Sequence, residues 1–336
     1  MLKRLSVLDL SPVAEGSDAR AALERTIDLA VAAERAGYHR YWLAEHHNAA
    51  GLASSAPEIL IGQIARATTS LRVGSGGVML PNHSALRVAE LFKVLCALFP
   101  GRIDLGLGRA PGTDPATAQK LRRGKVVTPA DIEASLDELI GLLTAGDEPR
   151  PAFPQSTIAI PTGVPAPAVW MLGSSDQGSR IAAARGLGFA FAHHMNAEDA
   201  AEEIRRYTRS FRPGLYAAPR GMVSVNVVCA PTADEARRLA KSQELAMLRF
   251  AQGLRDLPFP SVATAEAYEY TAEELSVREL YDANRIMGAP DDVLSTLESI
   301  AEGCGVEEVM IMTHIHDHEA RKRSYELLSA ALRGVG

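Results

Sequence analysis

Histidine is concentrated where the predicted strands of this 336-residue chain end. Of its nine histidines, only His39 begins a predicted strand. An imidazole titrates near neutral pH, so histidines collected on one edge of a sheet could move protons during a reaction. Histidine is also common in loops, so the pattern supports an active-site face without assigning any one residue. The remaining eight closely follow a strand: His46, His47, His83, His193, His194, His314, His316 and His318.

A carboxylate and two imidazoles end the second predicted strand, which reads YHRYWLAEHH over 38–47. They belong to Glu45, His46 and His47. Adjacent side chains of an extended strand point to opposite faces, so the two histidines cannot readily enter one pocket. We expect one imidazole to be structural and the other to serve as a general base or a hydrogen-bond donor.

Two consecutive glycines, Gly76 and Gly77, lie at the end of the third predicted strand, in the run GSGGVMLPN over 74–82. Because glycine has no Cβ, the backbone here can approach a flat ligand closely or adopt an unusual peptide geometry. A β-bulge or a tight turn is the alternative interpretation.

The fourth predicted strand, GRIDLGLGRAPG over 101–112, resembles a glycine-rich dinucleotide fingerprint only superficially. Its glycines are spaced GxGxxxG, and Pro111 follows where the phosphate-binding helix should begin, so a Rossmann turn is not predicted. Arg109 is more informative, because a guanidinium just past a strand end suits a phosphate monoester through two parallel hydrogen bonds. A surface ion pair is the alternative role for this arginine.

A second anion-binding element follows the fifth predicted strand, where Gly173, Ser174 and Ser175 lead into a helix that begins near Gln177. Free amide groups and hydroxyls at a helix N-terminus bind anions, and the helix dipole favours a negative charge there. Simple capping of the helix by serine is the alternative. Together with Arg109, this element predicts a phosphorylated cofactor.

The run HIHDH over 314–318 has metal-like spacing, because it places His314, His316 and His318 two residues apart. A metallohydrolase built on a barrel is the hypothesis that it raises. Such sites usually add ligands from several further strand ends, and the sequence has no second His-x-His run. A polar rim around a ligand or an exposed loop is therefore the preferred interpretation, and no metal site is assigned.

These residues need a scaffold that brings strand ends together. Apolar runs alternate with helices of 3.6-residue periodicity along the chain, and no break in composition is typical of a linker. This pattern favours an α/β fold, a single (β/α)8 TIM barrel over 1–336, rather than two Rossmann-like halves. Extra length is expected as loop insertions at about 109–127, 145–167 and 251–285, the last as a mobile insertion or lid. The predicted strands lie near 5–10, 39–44, 71–75, 102–108, 168–173, 188–192, 222–229 and 307–313.

Composition excludes several classes of function. The chain has 35 basic and 41 acidic residues, a net charge of -6 and no long run of either sign, so a nucleic-acid partner is not expected. Apolar stretches are too broken by charge or proline for a signal peptide or a membrane span. The cysteines Cys96, Cys229 and Cys304 form no CxxC pair, which fits a cytoplasmic protein in a reducing environment.

Several motifs in order resemble the bacterial-luciferase-like flavin monooxygenases. The similarity is carried by YWLAEHH (41–47), VGSGGVMLPNH (73–83), GRIDLGLGRAPG (101–112), LGSS with AAARGLGFAFA (172–192), and more weakly by MGAPDDV (287–293). The resemblance implies a (β/α)8 barrel that binds reduced FMN, uses O2 as co-substrate and oxygenates a small organic substrate such as an aldehyde.

The resemblance also implies roles for individual residues. His46 matches the active-site histidine of the family, and Gly76 with Gly77 match the position of a non-prolyl cis peptide beneath the flavin ring. Arg109 matches the phosphate-binding arginine. The phosphate-contacting positions after the fifth strand correspond to Gly173, Ser174 and Ser175. Luciferases carry a carboxylate at the position of Ser174 and a cysteine at that of Gly108, so light emission is not implied.

The sequence also leads to expectations about binding partners and to alternative functions. No nicotinamide site is evident, so a separate flavin reductase is expected to supply reduced FMN. Family likeness implies a homodimer formed through helices near 56–68 and 86–99. A deazaflavin (F420)-dependent oxidoreductase of the same superfamily is the runner-up function, although the Glu45-His46-His47 run favours FMN. A metallohydrolase and a barrel subunit without catalytic activity also stay open.

Overall fold

Eight parallel strands form a closed barrel in this protein. The computed structural model describes residues 2–145, 157–282 and 284–334. The barrel prediction is confirmed, and each of the eight predicted strands corresponds to a barrel strand. The barrel strands are β1 (Arg4–Asp9), β2 (Arg40–Leu43), β3 (Arg72–Met79), β4 (Ile103–Gly108), β5 (Ala168–Gly173), β6 (Gly188–Phe191), β7 (Gly221–Cys229) and β9 (Glu308–Met312).

The sheet closes through β9, which pairs with both β1 and β7. Neighbouring strands pair in parallel from β1 to β7, so their carboxyl ends all meet at one rim. The ninth strand, β8 (Arg285–Gly288), was not predicted. It pairs with the second half of β7, from Asn226 to Cys229, beyond the part of β7 that contacts β6.

Helices cover the outside of the barrel. Their starts carry the expected caps: Asp18 accepts a hydrogen bond from the amide of Ala21, and Thr128 forms a capping box with Asp131 ahead of Pro129. The helices are α1 (Ala19–Ala36), α2 (Pro57–Ala67), α3 (Ala85–Leu98), α4 (Pro115–Leu121), α5 (Pro129–Thr144), α6 (Asp176–Ala184), α7 (Ala200–Ser210), α8 (Ala233–Ala251), α9 (Val262–Glu266), α10 (Ala272–Asp282), α11 (Pro290–Cys304) and α12 (His318–Gly334), with a 3-10 helix at Leu80–Asn82.

The barrel lumen holds its own apolar cluster, separate from the larger core between sheet and helices. Trp42 and Trp170 meet edge to face there, with ring centroids 5.7 Å apart. This lumen cluster fills the middle of the barrel, so a ligand can enter only at the rim. Its buried members are Leu8, Trp42, Ala44, Trp170, Ala190, Met222, Met310 and Met312.

A buried ionic network closes the opposite, amino-terminal end of the barrel. The guanidinium of Arg40 donates to Asp104 Oδ2 at 2.7 Å and to Glu308 Oε1 at 2.6 Å. Arg72 binds the second oxygen of Asp104, and Trp42 Nε1 donates to Asp104 Oδ2 at 3.0 Å. The network joins residues of β2, β3, β4 and β9, and it therefore ties non-adjacent strands across the barrel.

The three predicted insertions differ in outcome. The segment 109–127 contains α4, and residues 146–156 of the segment 145–167 lie outside the described residues. The segment 251–285 contains α9 and α10, which pack against α8. Their helical periodicity was missed in the sequence, and whether the segment moves as a lid stays a prediction. Among the described residues, no helix combines the length and apolar content needed to cross a bilayer.

Candidate active site

A carboxylate that binds two imidazoles organises the rim beyond β2 and β3. Glu45 is 1% exposed, and its Oε1 lies 2.8 Å from Nε2 of His47 and 2.8 Å from Nε2 of His83. Its second oxygen accepts a hydrogen bond from the amide of Met79 at 2.9 Å. One side chain therefore joins the loop after β2 to the 3-10 turn after β3.

The ionisation of this cluster favours a charged pair. Burial opposes the charge on Glu45, but hydrogen bonds from His83, His47 and the Met79 amide outweigh it and leave the pKa of Glu45 lowered. The hydrogen bond to Glu45 raises the pKa of His83. A carboxylate that accepts from both imidazoles requires a proton on Nε2 of each ring.

His46 stays outside this hydrogen-bonded cluster and keeps a free ring nitrogen. Its Nδ1 is buried and has no hydrogen-bond partner among the described residues, while its backbone amide donates to Ser54. His47, by contrast, binds Glu45 through its ring, and its backbone oxygen accepts from Thr113. His47 is thus held by hydrogen bonds, whereas the ring of His46 is not. Because β2 ends at Leu43, the alternation of strand faces expected for residues 46 and 47 does not apply to them. Burial lowers the pKa of His46, so its imidazole is neutral near pH 7 and can accept a proton.

The diglycine of β3 lies directly against β4. The peptide bond between Gly76 and Gly77 is cis, and the pairing with β4 shifts register there, so both a bulge and an unusual peptide occur. A Cβ on Gly77 would lie 2.6 Å from the backbone oxygen of Gly106, and one on Gly76 would lie 2.7 Å from Leu8 Cδ1. Only glycine fits at position 77, where the clash is with backbone, whereas a Cβ at position 76 would require Leu8 to move. Whether a flavin ring lies over them stays a prediction.

Arg109 bridges from the end of β4 to the start of α6. Its Nη1 donates to Gln177 Oε1, and its Nη2 lies 3.4 Å from Ser175 Oγ. Its Nε is buried and has no hydrogen-bond partner among the described residues. Burial lowers the pKa of Arg109, while Asp176 and Glu133 act in the opposite direction. The sequence anticipated the position of Arg109 near Ser175 but gave no signal for Gln177.

The turn between β5 and α6 keeps its donors available. Ser175 is the N-cap of α6, yet its side chain makes no capping hydrogen bond. The backbone oxygen of Ser174 accepts from Asn196, and that of Gly173 accepts from the amide of Ala192. The amide of Gly178 donates to the backbone oxygen of Ser175 at 3.2 Å, and the two amides before it, at the N-terminus of α6, have no acceptor within the helix. The predicted anion-binding residues are therefore brought together beside Arg109.

The three histidines of the HIHDH run do not converge on one point. His314 Nδ1 lies 3.3 Å from Gln243 Nε2, His316 Nε2 lies 3.0 Å from the backbone oxygen of Glu15, and His318 binds Asp28. The strand ends at Met312, so the two-residue alternation assumed for the run does not continue. Their geometry gives no support to the metallohydrolase hypothesis.

Side chains of metal-ligand type approach one another closely at Asp28, His318 and Glu319, the one such set found in the described part of the chain. Lys322 lies between the two carboxylates, with Nζ 2.9 Å from Asp28 and 2.7 Å from Glu319. One ammonium group already contacts both carboxylates, so their proximity is explained without a metal ion.

His193 and His194 follow β6 on the same rim. His194 Nδ1 lies 3.1 Å from the backbone oxygen of Ser224, and burial lowers the pKa of His194. His193 Nδ1 is buried without a partner among the described residues, and burial also lowers the pKa of His193. Both rings are therefore neutral near pH 7. The accumulation of histidine at strand ends in the sequence does correspond to one rim.

The Glu45–His83 pair predicts a specific pH dependence of stability. Because the pKa of His83 is raised, its contribution is complete below about pH 6.5 and is lost as pH rises through the raised value. Because the pKa of Glu45 is lowered, its contribution is lost only as pH falls below about 4.5. In urea unfolding, His83→Gln should therefore cost about 1 kcal/mol more at about pH 6 than at about pH 9.

The matched control for that measurement is His39→Gln. Burial lowers the pKa of His39, so this variant should show no extra loss at the lower pH. An equal cost of His83→Gln at both pH values would contradict the charged pair.

The whole chain matches one protein family. The model of the luciferase-like monooxygenase family matches residues 4–317. The chain is 39% identical over 328 residues to a luciferase-like monooxygenase of Escherichia coli strain K12, covering 96% of this chain and 95% of the relative. It is 33% identical over 343 residues to the N-acetyl-S-alkylcysteine monooxygenase of Bacillus subtilis strain 168, covering 98% of each.

Solved structures share the fold. Apo-MsnO8 superposes with a TM-score of 0.89 at 36% identity over 98% of each chain. The oxygenating constituent of 3,6-diketocamphane monooxygenase from Pseudomonas putida, in complex with FMN, has a TM-score of 0.71 at 20% identity over 99% of this chain and 98% of that one. An F420-dependent secondary alcohol dehydrogenase has a TM-score of 0.67 at 14% identity over 99% and 100%. The last two show the barrel fold alone.

The match of the family model and the identity to its members agree with the order of motifs around the rim. This chain belongs to the luciferase-like monooxygenase family.

Proposed function

We propose that the protein is an FMN-dependent monooxygenase that uses O2 to oxygenate a small organic substrate. The observation that carries the proposal is the pairing of Arg109 with the start of α6. A guanidinium, a serine hydroxyl that makes no capping hydrogen bond and the amides of a helix N-terminus are the donors that a phosphate monoester requires. The structure of the 3,6-diketocamphane monooxygenase with FMN supports a flavin at a barrel of this kind.

The residues present fit the cofactor at both of its ends. The phosphate would be held by the buried Nε of Arg109, which has no partner among the described residues, and by Ser175, whose side chain makes no capping hydrogen bond. An anion there would offset the free-energy cost of burying the guanidinium. At the ring end, Gly76 and Gly77 present backbone without side chains. Ser174 and Gly173 would contribute to the phosphate end through their place in the turn.

His46 would transfer a proton at the reacting centre. Reduced FMN supplies the electrons for the reaction with O2, while the protein supplies orientation, a dry pocket and the proton transfer. The buried Nδ1 of His46 has no partner among the described residues and belongs to a neutral ring, so it can accept a proton. Glu45, His47 and His83 would position His46 by holding the loop after β2.

The substrate is proposed only as a class. The names of two relatives point to unlike compounds, N-acetyl-S-alkylcysteine for the Bacillus subtilis enzyme and 4-hydroxyprotoasukamycin for an enzyme of Streptomyces nodosus subsp. asukaensis. An aldehyde stays a candidate from the resemblance to luciferases. A panel of both compound types, assayed by oxygen consumption with FMN and an added flavin reductase, would identify the class. The proposed reductase partner rests on the absence of a nicotinamide motif in the sequence.

An F420-dependent dehydrogenase is the second candidate function. The fold is shared with an F420-dependent secondary alcohol dehydrogenase, and a deazaflavin would use the same phosphate-binding end. The free imidazole of His46 suits proton transfer in either reaction. Anaerobic turnover of an alcohol with the deazaflavin, together with no oxygen consumption with reduced FMN, would favour this candidate.

Two helices on one side of the barrel expose large apolar side chains, which supports the proposed homodimer. Ile59 of α2 is 64% exposed, and Val94 and Leu98 of α3 are 46% and 64% exposed. A second copy of the chain would cover this face, because exposed apolar groups of this size are typical of protein interfaces.

Arg109→Ala should weaken FMN binding about 10- to 100-fold, because it removes charged hydrogen bonds to the phosphate. Riboflavin, which lacks the phosphate, should lose little affinity. Titration followed by flavin absorbance measures both dissociation constants. Arg209→Ala, at an exposed arginine of α7, is the control and should leave FMN binding unchanged. Equal losses for FMN and riboflavin in Arg109→Ala would contradict the phosphate role.

His46→Ala should keep FMN binding but lower kcat about 100-fold or more, the usual range for a lost general base. Stopped-flow or steady-state oxygen consumption, with FMN affinity measured in parallel, tests this prediction. The matched control is His39→Ala, at the opposite end of the barrel, which should turn over at the parental rate. Parental turnover in His46→Ala would exclude the proposed role.

The double variant Ile59→Asp with Leu98→Asp should be monomeric, because it places charges in the proposed interface. Sedimentation equilibrium measures the mass of the parent and the variant. Leu254→Asp, at a residue 50% exposed beyond α8, is the control and should leave the parental mass unchanged. A parental dimer that persists in the double variant would show that these helices are not the interface.

A further inference from the structure

Several buried polar atoms without a hydrogen-bond partner among the described residues belong to β7, to α8 and to the loop after β9. Buried polar groups in folded proteins are nearly always paired, so a group of unpaired ones indicates ordered water or a bound molecule. None of these atoms belongs to the phosphate end or to the Glu45 cluster. They are Asn226 Oδ1, Ser242 Oγ, Gln243 Oε1, Thr313 Oγ1 and His314 Nε2.

Asn226 continues the inner face of the barrel. Met222 and Met312 belong to the lumen cluster, and alternate residues of a strand share a face. Asn226 therefore lies on the lumen side of β7, and the pairing of Asn226 with Met312 places the two beside each other. His314 lies in the loop that follows the end of β9, and its ring centroid is 6.0 Å from that of Phe259.

His314 and Gln243 are hydrogen-bonded to each other, and each keeps one polar atom without a partner among the described residues. Gln243 Nε2 lies 3.3 Å from His314 Nδ1, so the amide donates to the ring and leaves the ring proton on Nε2. Within the described chain, His314 Nε2 is then an unpaired donor and Gln243 Oε1 an unpaired acceptor. Both residues are nearly enclosed, at 9% and 1% exposure. Burial lowers the pKa of His314 to about 3, so the ring is neutral near pH 7.

The guanidinium groups that act on His314 contact carboxylates. Arg321 binds Asp9 at 2.7 Å. Arg285 Nη1 lies 3.4 Å from Glu244 Oε1, a carboxylate that also lies 3.8 Å from Arg278 Nη1. Burying a ligand with a net charge in this enclosed place would cost much more desolvation free energy than burying an uncharged polar group.

A backbone bridge covers the same place from outside. The amide of Phe259 donates to the backbone oxygen of Val13 at 2.8 Å, and the amide of Glu15 donates to that of Phe259 at 2.8 Å. Phe259 is therefore held over His314 by the loop after β1. The cover shields the polar pair from bulk water, and this strengthens any hydrogen bond formed there.

This inference rests on the proposed function and adds the chemistry of the substrate. We propose that His314 and Gln243 form a substrate subsite for an uncharged amide, with Asn226 beside them. His314 Nε2 donates to the amide oxygen, and Gln243 Oε1 accepts from the amide N–H. An amide fits because it carries its acceptor and its donor on separate atoms, as the two free atoms of the pair require.

Binding of simple probes tests the subsite without turnover. The chain has two tryptophans, Trp42 and Trp170, and both lie in the lumen cluster, so intrinsic fluorescence reports on this part of the barrel. The protein is titrated, with and without FMN, with N-hexylacetamide, hexyl acetate and octanoate. The amide should bind about tenfold more tightly than the ester, which lacks the N–H, and more tightly than the carboxylate.

Gln243→Met keeps the volume of the side chain but removes its acceptor, so it should fold normally and lose the preference for amide over ester. Gln119→Met, at an exposed position of α4, is the control and should keep it. Equal binding of amide and ester, tighter binding of octanoate, no binding of any probe, or a preference that survives in Gln243→Met would each overturn the subsite.

Measuring FMN binding and the amide preference separately distinguishes a wrong subsite from a wrong flavin function. FMN binding is measured separately by flavin absorbance in the parent and in Gln243→Met, and it should be equal in the two. Intact FMN binding without an amide preference would remove the subsite alone. An amide preference without FMN binding would remove the flavin function and leave the subsite in place.

Discussion

The closed register of eight parallel strands is the constraint on which the rest of this structure depends. Closure by β9 between β1 and β7 forces every strand to end at one rim. The buried network of Arg40 with Asp104 and Glu308 reinforces that closure at the opposite end. A buried pair of this kind costs desolvation energy, and removing one partner would leave an uncompensated charge inside the barrel. The register of β2, β4 and β9 is thereby coupled.

Around the rim, each of four successive strands contributes one element of the proposed chemistry. His46 follows β2, the diglycine lies in β3, Arg109 follows β4 and Ser175 follows β5. The rim therefore has a cationic side suited to a phosphate. The opposite side, beyond β7 and β9, carries the buried polar pair of His314 and Gln243. With the proposed ligands, one barrel would hold an anionic cofactor at one side and an uncharged substrate group at the other.

Much of this arrangement could be predicted from the sequence because it depends on strand ends. Apolar runs separated by amphipathic helices located the eight barrel strands, and parallel topology then placed Arg109 near Ser175. What could not be predicted depends on which loops meet in space. The contact between Glu45 and His83 joins residues 38 positions apart through a buried carboxylate. The neighbours of the HIHDH histidines also could not be predicted, because β9 ends before the run begins and the three rings contact three different parts of the chain.

The central claim is that Arg109 and the start of α6 bind the phosphate of FMN. A crystal structure of the protein with FMN bound tests it most directly. The account predicts the phosphate within hydrogen-bonding distance of the Arg109 guanidinium and the Ser175 hydroxyl, with the ring system over Gly76 and Gly77. A structure in which FMN binds elsewhere, with Arg109 turned to solvent, would contradict the account.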